Sequence, residues 1–174
     1  MENVLEHILI SSYKTEMISF LKAHPEYFNE AIELAISDNQ PYSWRSASLL
    51  WSCMNENDQR IQKYIQKIVK AVKTKNDGHK RELLKILYQM KLKSGHESIL
   101  FDICLSIWQQ IEKSPSVRFN ALKFIIKIAK NHPELANEID YLLQEHYLET
   151  LSPGVKKSIS KMMKELSRKK NEYR

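Results

Sequence analysis

The sequence predicts an all-α protein of about ten helices arranged as repeated helix pairs, and three observations carry that prediction. All five prolines fall on a repeat grid: Pro41, Pro115 and Pro153 each stand three residues before a column filled by Trp44, Arg118 and Lys156, and Pro25 and Pro133 each lie inside the phrase Lys-x-His-Pro-Glu-x-x-Asn-Glu, at 22–30 and 130–138. Apolar residues recur at i, i+3, i+4 and i+7 almost throughout, and no stretch shows the alternation of a strand. The three glycines, Gly78, Gly95 and Gly154, each separate two strongly periodic segments and so mark loops. Residues at a fixed period serve equivalent places in stacked units.

Taken in order, the first element is a helix near 2–11 with Val4, Leu5, Ile8 and Leu9 on its apolar face. A short helix over 14–23 directs Met17, Phe20 and Leu21 inward, and the His-Pro-Glu match places its partner over 25–37. Four later helices align on Trp44, Lys80, Arg118 and Lys156, at intervals of 36, 38 and 38 residues. Three residues on from these starts stand Ala47, Leu83, Ala121 and Ile159; six on, Leu50, Ile86, Phe124 and Met162; ten on, Met54, Met90, Ile128 and Leu166. Those columns are apolar every time. The seventh column holds Trp51, Leu87, Ile125 and Met163, so Trp51 is expected in the core.

Proline suits the first turn of a helix, where its missing N–H has no intrahelical partner, and Asn76-Asp77 supplies a capping pair where proline is absent. The partner helix over 57–75 presents Ile61, Tyr64, Ile65, Ile68, Val69 and Val72. The same spacing returns 39 residues later as Leu100, Ile103, Cys104, Ile107, Trp108 and Ile111. It returns again in a helix over 133–149, as Ile139, Leu142, Leu143, His146 and Tyr147. The last helix, 153–167, has a polar face of Lys156, Lys157, Ser158, Ser160, Lys161 and Lys164 that suits a terminal cap, and 171–174 should fray. The repeats then run over about 14–38, 41–75, 76–113 and 115–150 within a single domain of 174 residues.

A chain of this length buries roughly two thirds of its unfolded surface and needs no metal or disulfide staple. Cys53 and Cys104 both lie in apolar helical periodicity with no second cysteine nearby, which reads as reduced core thiols. The opening Met1-Glu2-Asn3-Val4-Leu5-Glu6 carries acid where a signal peptide needs base, and no apolar run approaches the roughly 20 residues that cross a bilayer, so a cytoplasmic protein is expected.

Net charge is +6, unevenly spread: the helix over 57–75 holds Arg60, Lys63, Lys67, Lys70, Lys73 and Lys75 against Asp58, whereas the helix over 133–149 holds Glu134, Glu138, Asp140, Glu145 and Glu149 and no Lys or Arg. There is no phosphate-cradling glycine loop, no H-E-x-x-H and no paired-cysteine motif. No catalytic residue, metal site or cofactor is assigned. His24 and His132, each just before Pro-Glu, are read as capping positions, and His146 as a core-edge residue in the column of Ile68 and Ile107.

Two sets of residues stand out as binding candidates. Positions between the core columns of the second helices, Gln62, Gln66, Phe101, Leu105, Tyr141 and Gln144, would face a groove, and apolar Phe101 and Leu105 four residues apart suit anchors for a bound peptide. On the first helices Lys85, Lys123 and Lys161 share one column, with Arg81 and Lys157 four residues before two of them, a candidate anion ridge. Trp44 shares its column with Lys80, Arg118 and Lys156, which points to a partly exposed indole.

Pro115-Ser116-Val117-Arg118-Phe119-Asn120-Ala121 resembles the opening of the first helix of a HEAT repeat, Pro-x-Val-Arg-x-x-Ala; Pro153-Gly154-Val155-Lys156 and Pro41-Tyr42-Ser43-Trp44-Arg45-Ser46-Ala47 are weaker copies. The chain is also similar to short bacterial HEAT-like proteins marked by Arg-x-Ala-x-x-Leu and a following Trp, as at Arg45, Ala47, Leu50 and Trp51. Some of these carry the name adenylosuccinate lyase, but this sequence lacks the Ser-Ser-x-Met-Pro-x-Lys-x-Asn loop of those enzymes.

The resemblance covers about 14–167 and implies an α-α superhelix, a right-handed HEAT-like (armadillo-type) solenoid, with first helices convex and second helices concave. It favours a non-catalytic scaffold for a protein or peptide partner. Nucleic acid is the alternative partner, through similarity to HEAT-like alkylpurine DNA glycosylases, and a structural subunit of an assembly is a third reading. The change from Lys63, Lys67 and Lys70 to Glu138, Asp140 and Glu145 along the second helices weighs against a uniformly basic nucleic-acid groove.

Overall fold

The structure is a computed structural model that describes residues 3–172. Among these are twelve α-helices, two 3-10 turns and no strand. They fall into two compact units, Met1–His96 and Glu97–Arg174.

The first unit contains α1 (Val4–Ser11), α2 (Lys14–Ala23), a 3-10 turn (Pro25–Tyr27), α3 (Phe28–Ile36), α4 (Tyr42–Cys53), α5 (Gln59–Gln62), α6 (Ile65–Thr74) and α7 (Asp77–Tyr88). Helix α4 is its hub and packs against α1, α2, α3 and α7. Small residues make this possible. Ala47 is fully buried, and the equally buried Ser46 donates its hydroxyl to the Ala31 carbonyl of α3 at 2.7 Å, so the backbones approach without an unsatisfied hydroxyl. The expected α7 cap is present: the Asn76 side chain accepts from the backbone N–H of His79 at 3.0 Å. Pro41 lies one residue before α4, at its N-cap, rather than inside the first turn.

The second unit contains most of α8 (Ser94–Gln109), whose first turn holds the unit boundary, followed by α9 (Pro115–Ala129), a 3-10 turn (Pro133–Leu135), α10 (Ala136–Tyr141), α11 (Glu145–Leu148) and α12 (Pro153–Glu172). Pro115 and Pro153 each open their helix as expected. Helix α12 packs on α9 through the buried Ile159 and Leu166, and Lys130 pairs with Glu165 at 3.6 Å. It runs on to Glu172, past the expected end at 167 and into the segment expected to fray; Tyr173 and Arg174 lie outside the described residues.

Two helices expected to be continuous are broken, which raises the count from about ten to twelve. The segment over 57–75 divides into α5 and α6 where the ladder tightens to three-residue bonds, Ile61 N–H to Asp58 and Tyr64 N–H to Ile61. The segment over 133–149 divides in the same way, with Leu142 N–H bonded to Ile139 and Tyr147 N–H to Gln144. The core columns survive except at the last repeat: Leu50, Ile86, Phe124, Met54, Met90, Ile128 and Leu166 are buried, and Met162 is half-buried.

The departures lie at the edges of the pattern. Val4 and Ile111 are exposed, and Cys53 is only half-buried while Cys104 is wholly enclosed. Burial pushes both thiols up from their ordinary pKa, so both favour the protonated state. His146 is exposed and its ring lies tilted against Tyr147 with ring centres 3.8 Å apart, because α11 is a separate short helix that does not continue the register of α10.

Candidate functional site

The tryptophan and arginine positions sort into structural and accessible groups only once the packing is known. Trp108 is fully buried, as expected, and its indole N–H donates to the Leu142 carbonyl at 2.8 Å. Trp51 is not a core residue. It is half-buried between two ammonium groups, Lys14 Nζ at 4.6 Å and Lys85 Nζ at 4.4 Å from the ring centre, and its indole N–H donates to the Glu82 carboxylate.

Glu82 is nearly inaccessible and also accepts from Arg81 Nε at 2.7 Å and Lys85 Nζ at 3.3 Å. Burial drives its carboxyl pKa upward, but the bonds from Arg81 and Trp51 and the charge of Lys85 outweigh that, so the group stays below its ordinary value and ionised. Two members of the basic set, Arg81 and Lys85, therefore engage a carboxylate of their own helix. In the second unit Lys123 is half-buried with Nζ 6.0 Å from the Phe119 ring centre, and Lys157 and Lys161 are exposed.

Arg118 shares its column with Trp44 and two lysines, yet it is wholly buried. Nε donates to the Trp108 carbonyl at 3.0 Å, and the terminal nitrogens donate to Thr150 Oγ1 at 2.9 Å and the Tyr147 carbonyl at 2.7 Å. Arg45 has a related role, donating from Nε to the Leu9 carbonyl. Each arginine thus meets a carbonyl in the last turn of another helix, α8 or α1, where acceptors lack intrahelical partners and the dipole favours a cation. The arginine of the Arg-x-x-Ala and Arg-x-Ala phrases is a helix-end clamp in this chain.

Two recesses lie in the first unit. One, of about 260 Å³, lies between the α1–α2 junction and α4. Met17 and Leu49 form its floor, Tyr13 and Trp44 its aromatic walls, and Lys14 and Arg45 its charged rim. Tyr13 is 82% exposed and Trp44 37%, so the exposed indole expected from its column is present, on a cleft shared with residues of the short first repeat.

The other, of about 440 Å³, is lined by α5 and α6 on one side and by residues 91–96 on the other. Gln62 and Gln66, two of the predicted groove residues, line it beside Lys63. Asn57, at φ 52°, positions its near wall: its side-chain oxygen accepts from Gln62 Nε2 at 2.6 Å and from the Lys91 N–H at 3.1 Å. His96 also lines it, and the imidazole Nδ1 is shielded from solvent with no hydrogen-bond partner among the described residues. Such an unmet group costs on the order of 1–3 kcal/mol.

Of the remaining predicted groove residues, Phe101 and Leu105 are half-buried on α8, and Tyr141 and Gln144 are exposed. The two His-Pro-Glu histidines turn out alike: His24 Nδ1 lies 3.0 Å from Glu26 and His132 Nδ1 lies 3.3 Å from Glu134, so each ring pairs with the acid two residues on, while its carbonyl accepts the N–H that closes the 3-10 turn. No group of three or more His, Cys, Asp or Glu side chains that could hold a metal occurs among the described residues.

A family model of the HEAT repeat domain matches residues 1–166. The chain belongs to the HEAT repeat family. No curated protein and no solved structure matches it. For a HEAT repeat chain the paired helices and their apolar columns are the scaffold, and exposed side chains between those columns are available for contact. Sequence reasoning missed the Tyr13 wall, which lies in a loop outside every apolar column, and the cavity wall at Lys91, Lys93 and His96, which falls between two periodic segments. No helix among the described residues is long and apolar enough to cross a membrane.

Proposed function

We propose that this HEAT repeat chain is a non-catalytic scaffold that binds a protein partner, with residues 1–174 acting as one domain. The observation that carries the reading is the Tyr13–Trp44 cleft. Two accessible aromatic rings over an apolar floor, bordered by Lys14 and Arg45, have the composition of an interface hot spot. The cleft suits a segment with an apolar anchor residue flanked by acidic side chains, because the rim is cationic. Gln62, Gln66, Phe101, Leu105, Tyr141 and Gln144 are further partner-facing positions in this reading.

The test places a photo-crosslinking phenylalanine analogue at Tyr13 in the native cell and identifies the adduct. The dissociation constant of that purified partner is then measured with wild type and with Trp44→Ala. A hot-spot indole predicts a loss of about 2 kcal/mol or more, roughly thirtyfold, with an unchanged melting temperature. An adduct whose affinity ignores Trp44 removes the cleft from the interface, and turnover of a substrate by the isolated chain removes the scaffold reading.

The nucleic-acid alternative rests on net charge +6 and on Arg81, Lys85, Lys123, Lys157 and Lys161. The engagement of Arg81 and Lys85 with Glu82 makes it the weaker reading. It predicts duplex binding whose affinity falls steeply with salt and disappears when those five residues are neutralised.

A further inference from the structure

We propose that the cavity between α5–α6 and residues 91–96 is a binding site for an organic phosphate. Its polar groups come from separate places in the chain: Lys63 at the α5–α6 break, Lys91 and Lys93 in the connection to α8, and the His96 imidazole in the first turn of α8. None of the three lysines has a carboxylate within ion-pair distance among the described residues. This distinguishes them from Arg60, Lys67, Lys75, Arg81 and Lys85, which all pair with acids. Like charges gathered around a shared recess repel one another, and an anion held between them removes that repulsion.

The donor set selects the kind of anion. Three ammonium groups, two carboxamides and an imidazole supply donors from several directions, which fits the oxygens of a tetrahedral dianion. A carboxylate presents two coplanar oxygens and is matched best by the planar fork of arginine, and no arginine lines this cavity. A phosphoryl group fills only part of about 440 Å³. The remaining space, with Ile65 as an apolar surface, leaves room for the organic part of a phosphate ester. The Tyr13–Trp44 cleft that carries the proposed protein partner shares none of its residues, and only Gln62 and Gln66 are common to this cavity and the wider partner surface.

The experiment is calorimetric titration of the full chain with phenyl phosphate and with inorganic pyrophosphate, in about 0.15 M salt, where exposed charges more than roughly 8 Å apart are screened. Saturable 1:1 binding is expected for both. Lys91→Glu with Lys93→Glu should weaken it by about tenfold or more, whereas Lys70→Glu with Lys73→Glu, the same change of charge on exposed positions of α6 outside the cavity, should alter it by less than about twofold. Circular dichroism of both variants checks that the helices persist. Equal losses in the two variants would assign the binding to overall charge and overturn the proposal. Citrate binding as tightly as pyrophosphate would overturn the choice of phosphate. A short DNA duplex that binds more tightly than phenyl phosphate and is lost in the Lys91/Lys93 variant would overturn the small-molecule ligand in favour of nucleic acid.

Discussion

Single buried polar side chains hold key helix ends in this chain, and they set its most specific sensitivities. Arg118 donates to two carbonyls and a hydroxyl while enclosed, and its removal leaves the buried Trp108 carbonyl without that donor. Arg118→Met keeps much of the volume and removes every donor. It should destabilise the protein by about 2–5 kcal/mol, read by urea denaturation. A change below about 0.5 kcal/mol would mean that those acceptors find other partners.

His79 makes the complementary case. Its Nε2 lies 2.7 Å from the Ala35 carbonyl and its Nδ1 3.1 Å from Gln40 Nε2, a geometry that suits the neutral ring donating at one nitrogen and accepting at the other. Burial lowers its pKa from the ordinary 6.5, the bond to Ala35 opposes this, and the nearby Lys75 charge adds to the lowering. The unfolded chain takes up that proton as pH falls through about 6.5 and the folded chain only at lower pH, so the stabilisation is complete above 6.5 and declines below it. Melting temperature should therefore fall between about pH 6.5 and 5. His79→Gln, which keeps an N–H donor, should flatten that part of the profile. A second decline, below about 4.5, belongs to Glu82 and Asp58, whose carboxyls are also held below their ordinary values, and His79→Gln should leave it in place.

At the scale of elements, α4 and α12 illustrate different kinds of support. Helix α4 is surrounded by four others, and the serines at 43 and 46 that a hydropathy pattern would put on a polar face are buried because their hydroxyls are satisfied by nearby acceptors. Helix α12 covers α9 from one side, through Ile159 and Leu166, and carries an otherwise lysine-rich surface. Truncation after Thr150 removes those residues and the buried Leu151 and uncovers apolar surface of α9. The expected outcome is aggregation or a lower melting temperature, measured by light scattering and thermal denaturation. A soluble 1–150 fragment with unchanged melting temperature would show that α12 is not a cap.

For the whole molecule, protection should concentrate in two places, one in each compact unit. Leu83, Leu84, Ile86 and Leu87 of α7 and Leu122, Phe124, Ile125 and Ile126 of α9 are essentially inaccessible, and local opening there must expose the most apolar surface. Hydrogen exchange should be slowest in these two segments and fastest in α1 and the C-terminal half of α12. Uniform exchange across all helices would point to a single global opening in place of local ones.

Period and punctuation were enough to read the helical class, the HEAT resemblance and most of the core from the chain alone. A residue's place in a 3.6-residue pattern decides which face it occupies, and the proline, glycine and capping positions decide where a helix starts or stops. Leu83, Ala121 and Ile159 are buried where the column puts them. The periodicity could not show that Arg118 is enclosed and Trp51 half-open, because each departs from its own column, Arg118 from a polar one and Trp51 from an apolar one, and the carbonyls and carboxylate that draw them there come from other segments. Nor could it reveal the Tyr13–Trp44 cleft or the lysine-lined cavity. Both are assembled from side chains about 30 residues apart in sequence, partly in loops that have no period. Local sequence order determines which surface each helix hides, and only tertiary packing brings loops and helix ends together into a recess that can hold a ligand.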